Sequence, residues 1–282
     1  MSRLIIVAGP TAVGKTAYAI RLAQKFHTHV LSCDSRQFYC ELRIGVARPS
    51  DSELSAAPHH FIACRPITSP YNIYDYEHDA MQCLATLFRT HDTVVAVGGS
   101  GLYIDALLAS PARLPSPSPE LRSQLQSMPL EEKRAKLRLL DPDYYAQVDL
   151  RNPVRLQRAL EVCLTAGLPY SCILANQQPE PRPFDVEIRI LTLPPPELRL
   201  RINRRVDAMI ANDLLDEVRA LLPMRHQPTL RTVGYRELFP VLDGIAPLDQ
   251  AIDQTKLHTW QYARRQLTWL RRYPQAIAIP AE

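Results

Sequence analysis

Residues 9–16 read G-P-T-A-V-G-K-T, which fits G-x-x-x-x-G-K-[ST]. The motif follows a short β-branched apolar run, R-L-I-I-V-A-G at 3–9, that reads as a buried strand. It precedes a helical pattern from 15 to about 26, with Ala19, Leu22, Ala23 and Phe26 on one face. In that setting the loop is built to wrap an anion. Gly9 and Gly14 let the backbone turn, and N–H groups at the start of the helix face the ligand. The expected diphosphate- or nucleotide-binding set is Gly9, Pro10, Thr11, Ala12, Val13, Gly14, Lys15 and Thr16. Lys15 supplies a point charge, and the Thr16 hydroxyl is a candidate ligand for Mg²⁺.

Two further segments, H-V-L-S-C-D-S at 29–35 and T-V-V-A-V-G-G at 93–99, read as strands, with a helical pattern from 75 to about 89 between them. Strands alternating with helices imply a parallel sheet covered on both faces. The expected fold class is α/β: a P-loop, nucleotide-kinase-like core with a parallel sheet, plus an all-helical insertion domain.

Proline marks that insertion. The chain has 25 Pro but only 9 Gly. Pro111, Pro115, Pro117 and Pro119 form one cluster, and Pro179, Pro181, Pro183 and Pro194 to Pro196 form another. Proline is excluded from helix interiors and central strands, so both clusters read as connectors. Between them lie helical patterns at 120–128, 130–140 and 154–165. The expected division is a catalytic core of 1–111 and 184–282 and a helical insertion of 112–183. Segment 184–193 alternates as a strand that returns to the sheet, and helices are expected over 197–222 and about 247–272. Ile202, Val206, Met209, Ile210, Leu214 and Val218 make one apolar stripe along the first of these.

The third strand ends in V-G-G-S-G without the Asp of a nucleotide-hydrolase magnesium site. It supplies instead a second glycine turn in which Ser100 can donate to a phosphate oxygen. Asp34 ends the second strand, and ligands of parallel sheets bind outside the carboxyl ends of strands. A carboxylate beside a bound anion is repelled unless it binds metal or handles a proton; capping a helix is the structural alternative.

Other features exclude more than they assign. No run of about 18 apolar residues exists, so no membrane-spanning helix is expected. The N-terminal apolar run is too short for a secretory signal. Six cysteines without a C-x-x-C pair read as free thiols in a reducing cytoplasm. His59-His60 reads as a loop or strand edge rather than a metal site. Only five of 33 basic residues are lysine. Arginine binds phosphate in a bidentate way and stacks on bases, so the bias suits nucleic-acid recognition. Between 254 and 281 there are Lys256, Arg264, Arg265, Arg271 and Arg272 and no acid. A solvated basic helix face is the alternative.

The ordered set of motifs resembles bacterial tRNA dimethylallyltransferases (tRNA isopentenyltransferases). It comprises G-P-T-A-V-G-K-T (9–16), D-S-R-Q-F-Y (34–39), I-G-V-A-R-P (44–49), V-G-G-S-G-L-Y (97–103) and R-L-Q-R-A-L-E-V (155–162). It continues in R-I-N-R-R-V-D-A-M (201–209), T-V-G-Y-R-E-L (232–238) and Y-A-R-R-Q-L-T-W-L-R-R (262–272). The resemblance implies transfer of a dimethylallyl group from dimethylallyl diphosphate to N6 of the adenosine 3′ of the anticodon, with release of diphosphate. It implies Asp34 as base, Ser100 and Arg205 as catalytic partners, and Mg²⁺ as cofactor. It implies tRNA contacts at Asp34, Ser35, Arg36, Gln37, Ser100, Arg122, Gln157, Arg158, Ala159, Leu160 and Glu161, so that the insertion grips the anticodon stem-loop. A cytoplasmic monomer without the zinc-finger extension of eukaryotic relatives is expected. The chain departs from the family pattern at Cys40, Ser100, Ala211-Asn212-Asp213 and Trp260-Gln261. The rival readings are a P-loop kinase of a small metabolite or nucleotide, which leaves the basic C-terminal helix unexplained, and a non-catalytic RNA-binding protein.

Overall fold

The structure is a computed structural model that describes residues 2–177 and 180–281. It divides into two compact units, Met1–Ala109 with Pro181–Glu282, and Ser110–Glu180. Pro179, one of the expected linker prolines, lies outside the described residues.

The first unit opens with β1 (Arg3–Ala8), α1 (Lys15–Lys25), β2 (Val30–Ser32), α2 (Asp51–Ala56), β3 (His59–His60), α3 (Ile73–Leu87), β4 (Thr93–Gly98) and α4 (Gly101–Leu108). The second unit holds α5 (Pro119–Ser127), α6 (Leu130–Leu140), α7 (Pro142–Tyr145), α8 (Pro153–Ala166) and α9 (Tyr170–Ala175). The chain then returns through β5 (Asp185–Thr192), α10 (Pro195–Ala211), α11 (Leu214–Ala220), α12 (Tyr235–Leu242), α13 (Leu248–Leu270) and β6 (Ile277–Pro280).

The sheet order is β3-β2-β4-β1-β5-β6, with every pairing parallel. β1 sits inside the sheet and is apolar on both faces. Leu4, Ile6 and Ala8 enter one core, and Ile5 and Val7 the other. β4 divides the same way, Val94 and Ala96 against Val95 and Val97. This double burial is why both strands read as continuous apolar runs and not as alternations. Because the strands are parallel, Ala8, Ser32 and Gly98 all end at one edge, and the segments that follow them meet there.

The apolar stripe expected on one helix over 197–222 is carried by two. Asp213 takes a left-handed φ of 65° between α10 and α11. Asn212 satisfies the Ala208 carbonyl through its side-chain amide at 2.7 Å. The helix breaks, yet Ile202, Val206, Leu214 and Val218 remain buried. Spacing had shown the stripe, and the Asn212 side chain bonding the backbone, followed by the left-handed Asp213, ended the helix. α2, α4, α7, α9, α12 and β6 had no counterpart in the sequence reading. His59-His60 forms the edge strand β3, as one of the two expected placements held.

In the second unit Leu125, Leu137, Leu156, Ala159 and Leu160 form a closed core. Asp141 is buried within it and accepts from Tyr144 N, Ser171 N and Ser171 Oγ at 2.7–2.9 Å.

Candidate active site

The loop after β1 returns on itself through Ala12 and Gly14, at φ 67° and 98°. Gly14 stands as the N-cap of α1 and so turns the first N–H groups of that helix toward the loop. Gly9 is held by close approach: a Cβ there would sit 2.9 Å from Val13 and 3.0 Å from the Leu191 carbonyl. Lys15 Nζ donates to the Pro10 carbonyl at 2.8 Å, which keeps the ammonium over the loop. Burial and the positive charge of Arg205 lower the Lys15 pKa to about 8. Arg205, on α10, reaches the same loop and donates to Thr11 Oγ1 at 3.4 Å.

Asp34 follows β2. Its Oδ1 accepts from Arg36 N at 2.9 Å, and its own N–H donates to Ser32 Oγ at 3.3 Å. The carboxylate therefore closes a local turn, and no helix follows it, which removes the helix-cap alternative. Its second oxygen is left for other work. Gln37 faces inward and donates to the carbonyls of Val46 and Ala47 at 3.3 and 3.0 Å. That bond draws the 44–47 loop over the site. The same loop is held from beneath by Glu217 on α11, which accepts from the N–H groups of Arg43, Ile44 and Gly45 at 2.8–3.2 Å.

Two cavities open on these residues. One is lined by Gly14, Lys15, Thr16, Gly98, Glu53 and His59, and the other by Arg36, Arg231, Arg236, Arg265, Met209 and Tyr262. Thr11, Asp34, Val46, Ala47 and Arg205 line both. The first has the chemistry of a diphosphate cradle, with backbone N–H groups and an ammonium. The second combines arginines with apolar walls, which suits a base and its phosphate backbone. Asp34 and Arg205 stand at the junction.

Ser100 lies behind this junction. Its Oγ accepts from Ser35 N at 3.0 Å and donates to Ser35 Oγ at 3.2 Å, and it is hydrogen-bonded to the Tyr262 phenol. It thus ties the turn after β4 to the turn after β2. Burial and the Asp34 charge raise the Tyr262 phenol to about 12, so it stays protonated.

No group of three or more His, Cys, Asp or Glu able to hold a metal occurs among the described residues. A cation here would take one protein oxygen from Thr16, which lines the diphosphate cavity, and its remaining oxygens from the diphosphate. That donor set fits magnesium, which keeps several non-protein oxygens in phosphate sites. No helix of the described residues is long and apolar enough to cross a membrane.

Within the helical unit, Glu161 is buried and is met by Gln157 Nε2 at 3.0 Å, Arg158 at 3.3 Å and Arg122 at 3.8 Å. Ala159 and Leu160, expected among the RNA contacts, are fully buried in that unit's core. Their side chains pack the helix, and the exposed part of the segment is carried by Gln157 and Arg158. Helical spacing brings 157, 158 and 161 together and sends 159 and 160 inward. Five C-terminal basic residues were grouped, with one solvated face as the alternative. Lys256 instead pairs with Asp207 at 2.6 Å and Arg272 with Asp105 at 3.1 Å, while Arg265 lines the second cavity.

Three residues at the site were given no individual role by the sequence. Glu217 carries the 44–47 loop, Tyr262 anchors Ser100, and Gln266 joins the two glycine loops. Gln266 Oε1 accepts from Thr11 N at 2.8 Å, and its Nε2 donates to the Gly99 carbonyl at 2.8 Å. Its signal was its place in the 262–272 motif, where Arg264 and Arg265 drew attention to charge.

Residues 37–273 match the family described as IPP transferase. A tRNA dimethylallyltransferase 1 of Bacteroides thetaiotaomicron is 45% identical over 276 residues, spanning 96% of this chain and 89% of that protein. A tRNA dimethylallyltransferase of Christiangramia forsetii is 44% identical over 277 residues, covering 96% and 91%. Among solved structures, a full-length tRNA isopentenylpyrophosphate transferase of Bacillus halodurans superposes with a TM-score of 0.72 at 30% identity, covering all of this chain and 90% of that one. A eukaryotic dimethylallyltransferase, described as acting on tRNA, gives a TM-score of 0.86 at 25% identity over all of this chain and 74% of that chain. With its P-loop, Asp34 and Arg205 drawn to one junction and near full-length likeness to these proteins, the chain belongs to the IPP transferase family, as its motifs had implied.

Proposed function

We propose that this protein transfers a dimethylallyl group from dimethylallyl diphosphate to N6 of the adenosine 3′-adjacent to the anticodon of tRNA. The observation that carries the reading is the pair Asp34 and Arg205, which line both the diphosphate cradle and the arginine-lined cavity. Donor and acceptor entering from those two sides meet at these residues.

In this reading the donor diphosphate lies on the Gly9 to Thr16 loop, against Lys15. The bond from the allylic carbon to the diphosphate oxygen breaks, and a new bond forms from that carbon to adenine N6. Arg205 and Lys15 balance the charge that develops on the departing oxygens. Asp34 takes the proton that N6 loses, through the carboxylate oxygen that Arg36 N does not occupy. Thr16 would hold Mg²⁺ against the diphosphate, where the ion would supply further charge neutralisation to the leaving group. Ser100 acts by fixing the turn that carries Ser35 and Asp34.

The acceptor base must leave its stack to reach this junction, and arginines with a phenol at the cavity suit an extruded base. Ser35, Arg36 and Gln37 would meet the anticodon loop from the core. Arg122, Gln157 and Arg158 would meet the stem from the helical insertion. The protein would act as a cytoplasmic monomer.

The test is incubation of the protein with Mg²⁺, ATP, dimethylallyl diphosphate and an anticodon stem-loop RNA, followed by nucleoside mass spectrometry and an assay of ATP consumed. Prenylated adenosine is expected. Turnover of ATP with no prenylated RNA would overturn the reading in favour of a kinase.

A further inference from the structure

We infer that Gln266 is a positioning residue that sets the diphosphate loop from the acceptor side of the site, and so couples the binding of the two substrates. This rests on the reaction proposed above.

The geometry is specific to a carboxamide. Gln266 is buried on α13, and each end of its side chain meets a backbone group of a different glycine loop. Oε1 accepts the Thr11 N–H and Nε2 donates to the Gly99 carbonyl, both at 2.8 Å. A carboxamide offers an acceptor and a donor at one side-chain end whatever the pH, which an ionised carboxylate of the same size does not. The space is made for it: a Cβ on Gly99 would sit 2.2 Å from Nε2, so the glycine of that turn admits the Gln side chain. Thr11 is the residue that the two cavities share on the P-loop, and its hydroxyl receives Arg205. Holding its N–H therefore fixes both the loop and the position that Arg205 reaches.

The second half of the inference lies along the same helix. Tyr262 stands one turn before Gln266 on α13, lines the acceptor cavity and bonds to Ser100. Arg265 lines that cavity as well. Trp269, nearly one turn on, fills the space beside Gly101, where a Cβ would come within 2.4 Å of its ring. The face Tyr262, Gln266 and Trp269 is thus keyed into the turn after β4, with Gln266 reaching across to the P-loop. A nucleotide held by Tyr262 and Arg265 bears on the same helix whose Gln266 holds Thr11, so the two binding events share one rigid element. By linkage the donor then favours the nucleotide equally.

The test uses the full chain with Gln266→Met, which keeps the volume and removes both hydrogen bonds, and Gln266→Glu. Inorganic diphosphate with Mg²⁺, titrated by calorimetry, is the binding probe, with and without the stem-loop RNA. In Gln266→Met, diphosphate binding is expected to weaken by about ten- to a hundredfold, as small misplacements of a site do. Enhancement of diphosphate binding by RNA is expected to vanish, and RNA affinity measured without diphosphate to stay within about twofold. In Gln266→Glu the ionised carboxylate opposes the Gly99 carbonyl, whereas the protonated acid can donate to it. Its diphosphate affinity is therefore expected to recover as pH falls, with no such recovery in Gln266→Met. Unchanged diphosphate affinity in Gln266→Met, or affinity lost with coupling intact, would overturn the inference. So would parallel losses of diphosphate and RNA affinity with no pH recovery in Gln266→Glu, which is what a purely structural defect produces. A wild-type protein that binds diphosphate but prenylates no RNA would refute the reaction and leave the Gln266 contacts separately tested.

Discussion

The Tyr235 hydroxyl donates to Glu217 Oε1 across 2.6 Å, and the Tyr235 ring fills the space where a side chain on Gly45 would begin. Two residues more than 170 positions along the chain from that loop thus carry it, and it lines both cavities. Glu217 also accepts three consecutive backbone N–H groups of that loop. Glu217→Ala leaves those donors and the buried phenol without their acceptor. The expected loss is about 1–3 kcal/mol of stability, read from urea denaturation, together with a raised KM for RNA. Glu217→Gln should recover part of both. A stable Glu217→Ala protein with ordinary kinetics would show the loop to be held by other means.

Lys15 has its pKa lowered to about 8, first by burial and then by Arg205. The cation is the form that holds diphosphate, and it is lost as pH rises through that value. Donor KM is therefore expected to climb above about pH 8, while RNA affinity follows a different profile. For folding the sign is opposite. Between about pH 8 and the usual lysine range near 10.4 the unfolded chain binds the proton more tightly, so this group makes stability rise with pH there. Lys15→Met should remove the donor profile; persistence of the profile in that variant would assign it elsewhere.

Asp34→Asn keeps the oxygen that receives Arg36 N and removes the capacity to take a proton. Steady-state measurement should give a kcat lower by about 10²–10⁴, with RNA affinity nearly unchanged. A variant with full turnover would exclude Asp34 as the base.

Arg122 in the helical unit is largely exposed and 3.8 Å from Glu161. Arg122→Ala should weaken stem-loop binding and lower the magnitude of its salt slope by about one, with diphosphate affinity untouched. An unchanged salt slope would place the RNA elsewhere.

Gly98→Ala would set a Cβ 2.6 Å from the backbone carbonyl of Cys33, which belongs to the neighbouring strand's end and has no room to move. A cost of about 1–3 kcal/mol is expected from overpacking, measured as a lower thermal midpoint. An unaltered midpoint would show that β2 and β4 can separate.

The strands, the phosphate loop and the apolar stripes were legible in sequence because each depends on neighbours within a few residues. β1 is a β-branched run that ends in a glycine loop, and its fate follows from local chemistry. Asp34 was legible by its place at a strand end. The break at Asp213 was not anticipated, because the apolar period continues across it. Ala159 and Leu160 were grouped with Arg158 by motif, and helical geometry then turned them inward.

Sequence alone therefore determined the parallel α/β core, the anion loop and the family, since hydrophobic period, glycine placement and motif order are written along the chain. Tertiary structure alone decided what closes the site. Gln266 meets Thr11 from 255 residues away and Gly99 from 167, and Glu217 meets the 43–45 loop from more than 170. Such contacts leave no period to read. A single glutamine or glutamate acquires its role only when a distant backbone N–H or carbonyl needs a partner, and burial makes that need costly to leave unmet.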